Sequence, residues 1–371
     1  MPRFLVGHAT HPHWRGAADL VLAQLSAPTA LAGRLGIVYA SPSYADALDE
    51  LVGVLRQRTG VPHWVGGVGH GVCATGVEYG EDPALAVLLT DLAEADFRVF
   101  SGLSRLGSPL AGFRAHCALV HADPGLPDLQ GLLDDLSSRV ESGFLFGGLV
   151  AGDGPSQVAD HALSGGLSGA AFSPEVRLLS RVTQGCSPLG APHVISECTE
   201  HYLLGLDGRP ALDVLLDDLG VVVPAGSARD REAILRALPA DRLRQGLLVG
   251  LSGSDAGRNV GFGDYLVRNV VGIDPHHRLL AVGDVPREGD RAVFCTRDTV
   301  AARRDLVRVC TELRAELEDE GLQARGALYH SCVARGEHLF GGAGVELEII
   351  RHNLGDLPLA GAAGTFSQNS I

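Results

Sequence analysis

The residues best suited to chemistry lie where an apolar strand runs into a turn, Cys332-Val-Ala-Arg335-Gly336. A guanidinium at such a turn can grip a carboxylate through two parallel N–H donors. The neighbouring thiol becomes a nucleophile where its surroundings favour the thiolate. The plainer alternative is a cysteine packed as a small hydrophobe and an arginine tying down its own loop. A second candidate is the loop Gln184-Gly185-Cys186-Ser187-Pro188-Leu189-Gly190. Its glycines can turn backbone N–H groups toward an anion, or merely supply a positive φ for a crossover. Arg268 and Asn269 sit in an apolar strand and face opposite sides of it, with Asp274 just beyond. A charge in such a strand either lines a pocket or is paired with a buried carboxylate. Ser43 and Tyr44, in an N-terminal Ser-Pro-Ser turn, complete the set expected to orient a ligand.

Other chemistries are excluded or weak. His8, His11 and His13, with His63 and His70, have no carboxylate or cysteine in a metal-ligand pattern, so a solvated turn and no metal are expected. Gly250-Leu-Ser252-Gly253-Ser254 and Gly166-Leu-Ser168-Gly169-Ala170 both fail the G-x-S-x-G nucleophile pattern at the final glycine. The glycines after Trp64 do not open an amphipathic helix, so no dinucleotide site is read there. All 30 basic residues are arginine, which excludes Schiff-base lysine chemistry and a Walker phosphate lysine. The net charge of −14 argues against nucleic acid and anionic membranes as partners. The seven cysteines are scattered and form no CxxC pair. With no signal peptide and no long apolar run, a reduced cytoplasmic setting without membrane contact is expected. No cofactor is implied.

Along the chain, strands and helices occur in comparable amounts. FLVGHA, GIVYA, HCALVHA, FLFGGLVAG, GLSGAAF and VRLLSRVT read as strands, as do GLLVGLS, YLVRNVVGI, RLLAVG and RAVFCT. Ser43 with Asp46 resembles a capping box before a helix whose apolar face is Leu48, Leu51, Val52 and Leu55. Leu129, Leu132, Leu133 and Leu136 mark another helix, and Asp298 is placed to cap a long one through Leu306, Cys310, Leu313 and Leu317. Residues 221–230 read as a linker whose last residue, Asp230, is placed to cap a further helix. The stretch 328–361 repeats the plan of 36–67: strand, turn, helix, proline, then a glycine-punctuated strand. One unit used twice tends to leave a pocket at its seam. The expectation is an α/β (α+β) fold of two related halves. Mixed sheets are flanked by helices, with sheets stacked face to face and helices outside.

The chain resembles the FIST family, with paired FIST N and FIST C domains, over nearly its whole length. The resemblance rests on VGHAT, ASPSYADALDEL, FGGLVAGDG, LSGGLSGAAF, VTQGCSPLGAPHVISEC and GLDGRPALDVL. It continues through YLVRNVVGIDP, EGDRAVFCTRD, SCVARGEHLFG and LGDLPLAG. It implies a FIST N-like domain over 1–220 and a FIST C-like domain over 221–371. It also implies a sensory, signal-transduction module that binds a small molecule, an amino acid or a similar carboxylate metabolite, and that signals to a partner protein in trans. A cysteine enzyme using Cys332 or Cys186, or an interaction scaffold without a small ligand, are the alternatives. The family's usual Gly-Glu-Ile and further strand after the last glycines are replaced here by GTFSQNSI.

Overall fold

The computed structural model describes residues 3–25, 34–106, 112–152, 154–222, 231–239, 246–252, 265–333 and 335–364. The fold is α+β, built from several sheets with helices against them. By contacts the chain forms two compact units, residues 1–181 with 307–371, and residues 182–306.

The first unit contains the same motif three times. Leu35–Ala40 runs parallel to His63–Val68, with helix Leu48–Thr59 between them in sequence. Cys117–Ala122 runs parallel to Phe144–Leu149, connected through helix Leu129–Ser138. Ala327–Cys332 runs parallel to Leu359–Gly364, connected through helices Gly336–Phe340 and Val345–Leu354. The first and third copies are the repeat legible in sequence; the middle copy was not expected as a repeat.

Register makes the copies equivalent residue by residue. Gly66 lies opposite Val38, Gly147 opposite Val120 and Gly361 opposite Tyr329. At each of these glycines a Cβ would stand less than 2 Å from the facing carbonyl oxygen (1.9, 1.9 and 1.8 Å), so any side chain would break the pair. Gly66 and Gly147 also share a φ of +140°, open to glycine alone. It follows that Tyr39, His121 and His330, one residue further along, occupy one structural position three times. Their own cross-strand neighbours are Gly67, Gly148 and Ala362, all small.

Strand alternation then sorts the faces. Leu35, Ile37 and Tyr39 point into a core shared with Cys117, Leu119, Ala170 and Ala360. Val38 and Ala40 point the other way, against Leu48, Leu51, Val52 and Leu55 of the first helix. Ala118 and Val120 likewise meet Leu133 and Leu136. Helices cover the outer faces, and the inner rows of the sheets meet.

The sheets are completed by exchange. The hairpin that follows the first copy, Gly71–Ala74 with Val77–Tyr79, adds to Leu359–Gly364 of the third. The hairpin that follows the second copy, Gln157–Ala159 with His161–Leu163, adds to His63–Val68 of the first. Gly364 closes against the end of the second, where a Cβ on it would lie 2.3 Å from Leu149 O. Two further flanks carry antiparallel strands: Ala84–Thr90 and Phe4–Thr10 beside Leu35–Ala40, and Leu167–Phe172 and Phe97–Ser101 beside Cys117–Ala122.

In the second unit the strands Arg291–Arg297, His193–Thr199, Tyr202–Leu206, Leu279–Val282, Leu266–Asp274 and Leu248–Ser252 pair antiparallel in that order. Leu248–Ser252 pairs back onto Arg291–Arg297, so the sheet closes into a barrel. Its core holds Leu203, Leu206, Val249, Leu280 and Phe294 with Leu212 and Leu215 of helix Ala211–Asp218.

Some local expectations change. The Ser43–Asp46 capping box does not form, because Pro42–Ala47 winds as a 3₁₀ turn and the α-helix starts after Ala47 without a side-chain cap. VRLLSRVT is not a strand: Arg177 and Arg181 pair with Glu320 and Glu316 instead, and the segment follows helix Thr299–Asp319 outside any sheet. The 184–190 loop contains a short strand, Cys186–Pro188, on Arg291–Arg297. The Asp298 cap is present, accepting from Val300 N (2.7 Å) and Ala301 N (2.9 Å). Residues 223–230 of the expected linker, with Asp230, lie outside the described residues, as do Gly253, Ser254 and the GTFSQNSI segment beyond Gly364.

Candidate functional site

Tyr39, His121 and His330 converge at the carboxyl ends of their three strands. The Tyr39 hydroxyl lies 3.1 Å from His121 Nε2 and 2.8 Å from His330 Nε2. The ring centroids form a nearly even triangle of 5.6, 5.6 and 6.2 Å. Gly67, Gly148 and Ala362 leave space beside the three rings, and Val68, Leu149 and Gly364 complete a cavity there. Its volume of about 10 Å³ is room for about one water molecule. Open parallel sheets typically receive ligands at this same end of their strands.

The electrostatics follow from burial. Tyr39 is 1% exposed and His121 2%. Desolvation pushes His121 down to about 3, helped by the neighbouring His330, and pushes His330, which keeps more contact with solvent, down to about 4. Both imidazoles are therefore neutral near pH 7. Burial raises the Tyr39 phenol well above its ordinary value, so it remains a hydroxyl. His121 Nδ1 is buried and has no hydrogen-bond partner among the described residues. An orphaned buried polar atom costs about 1–3 kcal/mol, and native structures retain few of them.

The residues singled out from sequence fall in different places. Arg335, Cys332, Gly336, Ser43 and Tyr44 belong to the first unit; Arg268, Asn269, Gly185 and Cys186 belong to the second. Arg335 is buried and donates through Nε to Glu346 Oε1 at 2.8 Å, with its guanidinium carbon 5.1 Å from the centre of the Phe340 ring. Glu346, 1% exposed, also accepts from the Tyr329 hydroxyl and from Ser331 Oγ at 3.3 Å. Tyr329 and Ser331 flank His330 and, by alternation, point to the opposite face. The Arg335–Glu346 cluster therefore backs the third strand behind the triad. Cys332 is half-buried at the strand end. Gly336 begins the short helix at φ +65°. Tyr44 is buried and donates to His11 O, while Ser43 is exposed.

In the barrel, Arg268 is 5% exposed and donates through Nε to Asp284 Oδ2 at 2.7 Å. The alternative to a pocket role, an ion pair, is what forms, but with a carboxylate that keeps 31% of its side chain exposed. Asn269 pairs with Leu248 across the ladder, and its carbonyl accepts from Gly283 N. Gly185 adopts φ +68°, and Cys186 packs with Leu248 and Cys295. Asp274 accepts from the backbone of His276 and His277, closing a turn. Among the described residues no group of three or more His, Cys, Asp or Glu side chains is placed to hold a metal. His8 instead meets the Tyr79 hydroxyl (2.7 Å) and His63 meets Asp160 (3.2 Å). Ser168 Oγ donates to Gln157 Oε1 at 2.7 Å, a buried structural bond.

Sequence reasoning missed the triad. Its signal was present as Tyr39-Ala-Ser-Pro, His121-Ala-Asp-Pro and His330-Ser-Cys at three strand ends. Each is followed by a strand with paired small residues: Gly66-Gly67, Gly147-Gly148 and Gly361-Ala362.

Among known proteins, the FIST N domain matches residues 34–209 and the FIST C domain matches residues 211–365. The uncharacterized protein Rv0628c of Mycobacterium tuberculosis is 29% identical over 98% of this chain and 94% of its own length. The uncharacterized protein Mb0898c of Mycobacterium bovis is 28% identical over 98% of this chain and 93% of its own. Among the described residues no helix is long and apolar enough to cross a membrane.

Proposed function

Because this chain belongs to the FIST family, whose domains are sensory modules of signal transduction, we propose that it binds a small polar metabolite at the Tyr39–His121–His330 triad. The ligand class is an amino acid or a similar small carboxylate metabolite. The setting is the cytoplasm, and the bound state passes to a partner protein in trans. One observation carries this reading: three equivalent strand ends bring polar side chains to one buried point, where His121 Nδ1 has no partner among the described residues.

The size of the cavity sets a condition on such a sensor. About one water fits, so anything larger than a single polar group reaches the triad only as the strand ends part. Ligand affinity is then tied to the spacing of the three copies, and differential affinity for two spacings is what shifts a population. Arg335 stands on the opposite face of the third strand, held by Glu346, so its place in this reading is to support that strand end.

The test is a thermal-shift screen against amino acids and central metabolites, run on the native chain and on Tyr39→Phe. A ligand at 100-fold its Kd stabilises the folded state by about 2.7 kcal/mol. A hit that weakens in Tyr39→Phe is the expected result. A flat screen on folded protein, or a hit indifferent to Tyr39, overturns the reading.

A further inference from the structure

We propose that the ligand group received at the triad is uncharged, and that the triad registers whether this group donates or accepts a hydrogen bond. This deepens the sensory reading above and rests on it.

The number of protons at the triad fixes its tautomers. A tyrosine hydroxyl has one proton to donate, and Tyr39 stands within hydrogen-bond distance of two Nε2 atoms. It donates to one imidazole, whose proton must then be on Nδ1. It accepts from the other, whose proton is on Nε2 and whose Nδ1 is a bare lone pair. The two histidines therefore hold opposite tautomers, and their outward Nδ1 atoms have opposite character, one donor and one acceptor. The reversal is a proton relay: His330 Nε2 passes its proton to Tyr39, Tyr39 passes its own to His121 Nε2, His121 Nδ1 releases one to water and His330 Nδ1 takes one from water, so each ring stays neutral and the hydroxyl turns to the other imidazole. A group that accepts at His121 Nδ1 places a proton there, makes His121 Nε2 an acceptor for Tyr39, and requires His330 to donate to Tyr39. A group that donates to His121 Nδ1 sets the reverse. No net charge moves, and the state of one strand end is written onto another through a single hydroxyl.

The exclusion of charge comes from the walls. Besides the three rings, the lining is glycine, alanine, valine and leucine, with neither carboxylate nor guanidinium. An ion brought there without a partner loses its hydration with little in return. The same burial holds both imidazoles neutral.

The experiment is nitrogen NMR on native protein labelled with ¹⁵N-histidine, the two signals being assigned by their loss in His121→Gln and His330→Gln. The expected spectrum shows one Nδ1–H and one Nε2–H tautomer, with neither ring titrating between pH 5 and 8. Two like tautomers, or a ring titrating near 6.5, overturn the proposal. Formamide and formate, nearly equal in size and differing in charge, are then compared at one concentration. Formamide is expected to shift the His121 signal and to move the His330 signal with it, while formate does neither. Formate acting as strongly as formamide overturns the exclusion of charge, and a His121 shift that leaves His330 unmoved overturns the coupling. A metabolite that stabilises the protein but leaves both histidine signals in place defeats this inference and spares ligand sensing elsewhere in the chain. Complementary tautomers responding to formamide, with a flat metabolite screen, defeat the sensory reading and spare the triad.

Discussion

Acid should destabilise this protein more steeply than ordinary surface histidines allow, and the triad sets the size of the effect. In the unfolded chain His121 and His330 titrate near 6.5; folded, they titrate at about 3 and about 4. Their folded values lie below the unfolded ones, so between those limits the unfolded chain binds more protons. Stability is therefore fully present above about pH 6.5 and is lost as pH falls, down to about 4 for His330 and about 3 for His121. One pKa unit corresponds to about 1.4 kcal/mol. Going from pH 7 to pH 5 crosses roughly 1.5 units below the unfolded value, so each histidine contributes a loss of about 2 kcal/mol. The titratable groups facing either ring are the other histidine and the Tyr39 phenol, and the lining adds no carboxylate to offset the protonated form. The assay is urea unfolding at pH 7 and pH 5 for the native chain and for His121→Gln. The other histidines are common to both, so the difference between the two pH-dependent losses isolates His121. The native chain should lose about 2 kcal/mol more than the variant. Equal losses would mean that His121 titrates as in water, and the account of the triad as a dry, neutral centre would fail.

Three further substitutions test the frame around the site. Gly147→Ala places a Cβ 1.9 Å from Val120 O at φ +140°, and a clash with backbone should cost more than ~4 kcal/mol, read as insoluble expression or a collapse of the urea midpoint. Gly53→Ala, on an exposed helical position with nothing within 4 Å, should raise stability by up to ~1 kcal/mol, seen as a higher melting temperature. Arg335→Ala leaves Glu346 buried without its cation and should cost about 3–5 kcal/mol. The double change Arg335→Met with Glu346→Leu should recover most of that loss in urea unfolding, and a neutral Arg335→Ala would show that Glu346 does not depend on it.

Local order was easy to read in this sequence, and long-range equivalence was not. The strand GIVYA, the stripe Leu48, Leu51, Val52, Leu55 and the Asp298 cap are written in neighbouring residues, and each forms. The likeness of 36–67 to 328–361 was legible because both carry a turn, a helix and a proline in the same order. The middle copy escaped because its strands and helix were read as separate elements, and because a tyrosine and two histidines at one position do not look alike. What makes them equivalent is register against Gly66, Gly147 and Gly361, a property of pairing between distant strands. Arg268 is legible as a charge in an apolar strand and Arg335 as a guanidinium at a strand-end turn. Their partners, Asp284 and Glu346, lie 16 and 11 residues onward and are supplied by the fold. VRLLSRVT has strand-like composition, yet its arginines pair with Glu320 and Glu316, a choice that no window of local residues contains.

The exchanged hairpins impose an order on the birth of this molecule. Gly71–Ala74 is synthesised early, but its partner strand is Leu359–Gly364. Val77–Tyr79 meets one edge of it at once, but the backbone groups of its other edge must wait through the making of two further copies and an entire barrel. Loop closure over that span is paid late, and folds dominated by such distant pairing assemble slowly. Until then the nascent chain carries an open ladder beside the first glycine pair, an adhesive edge of the kind that invites misjoining with a neighbouring copy. Once joined, no copy can be pulled from the ring without unzipping another, so the three strand ends that meet at Tyr39 should lose their structure as one cooperative event.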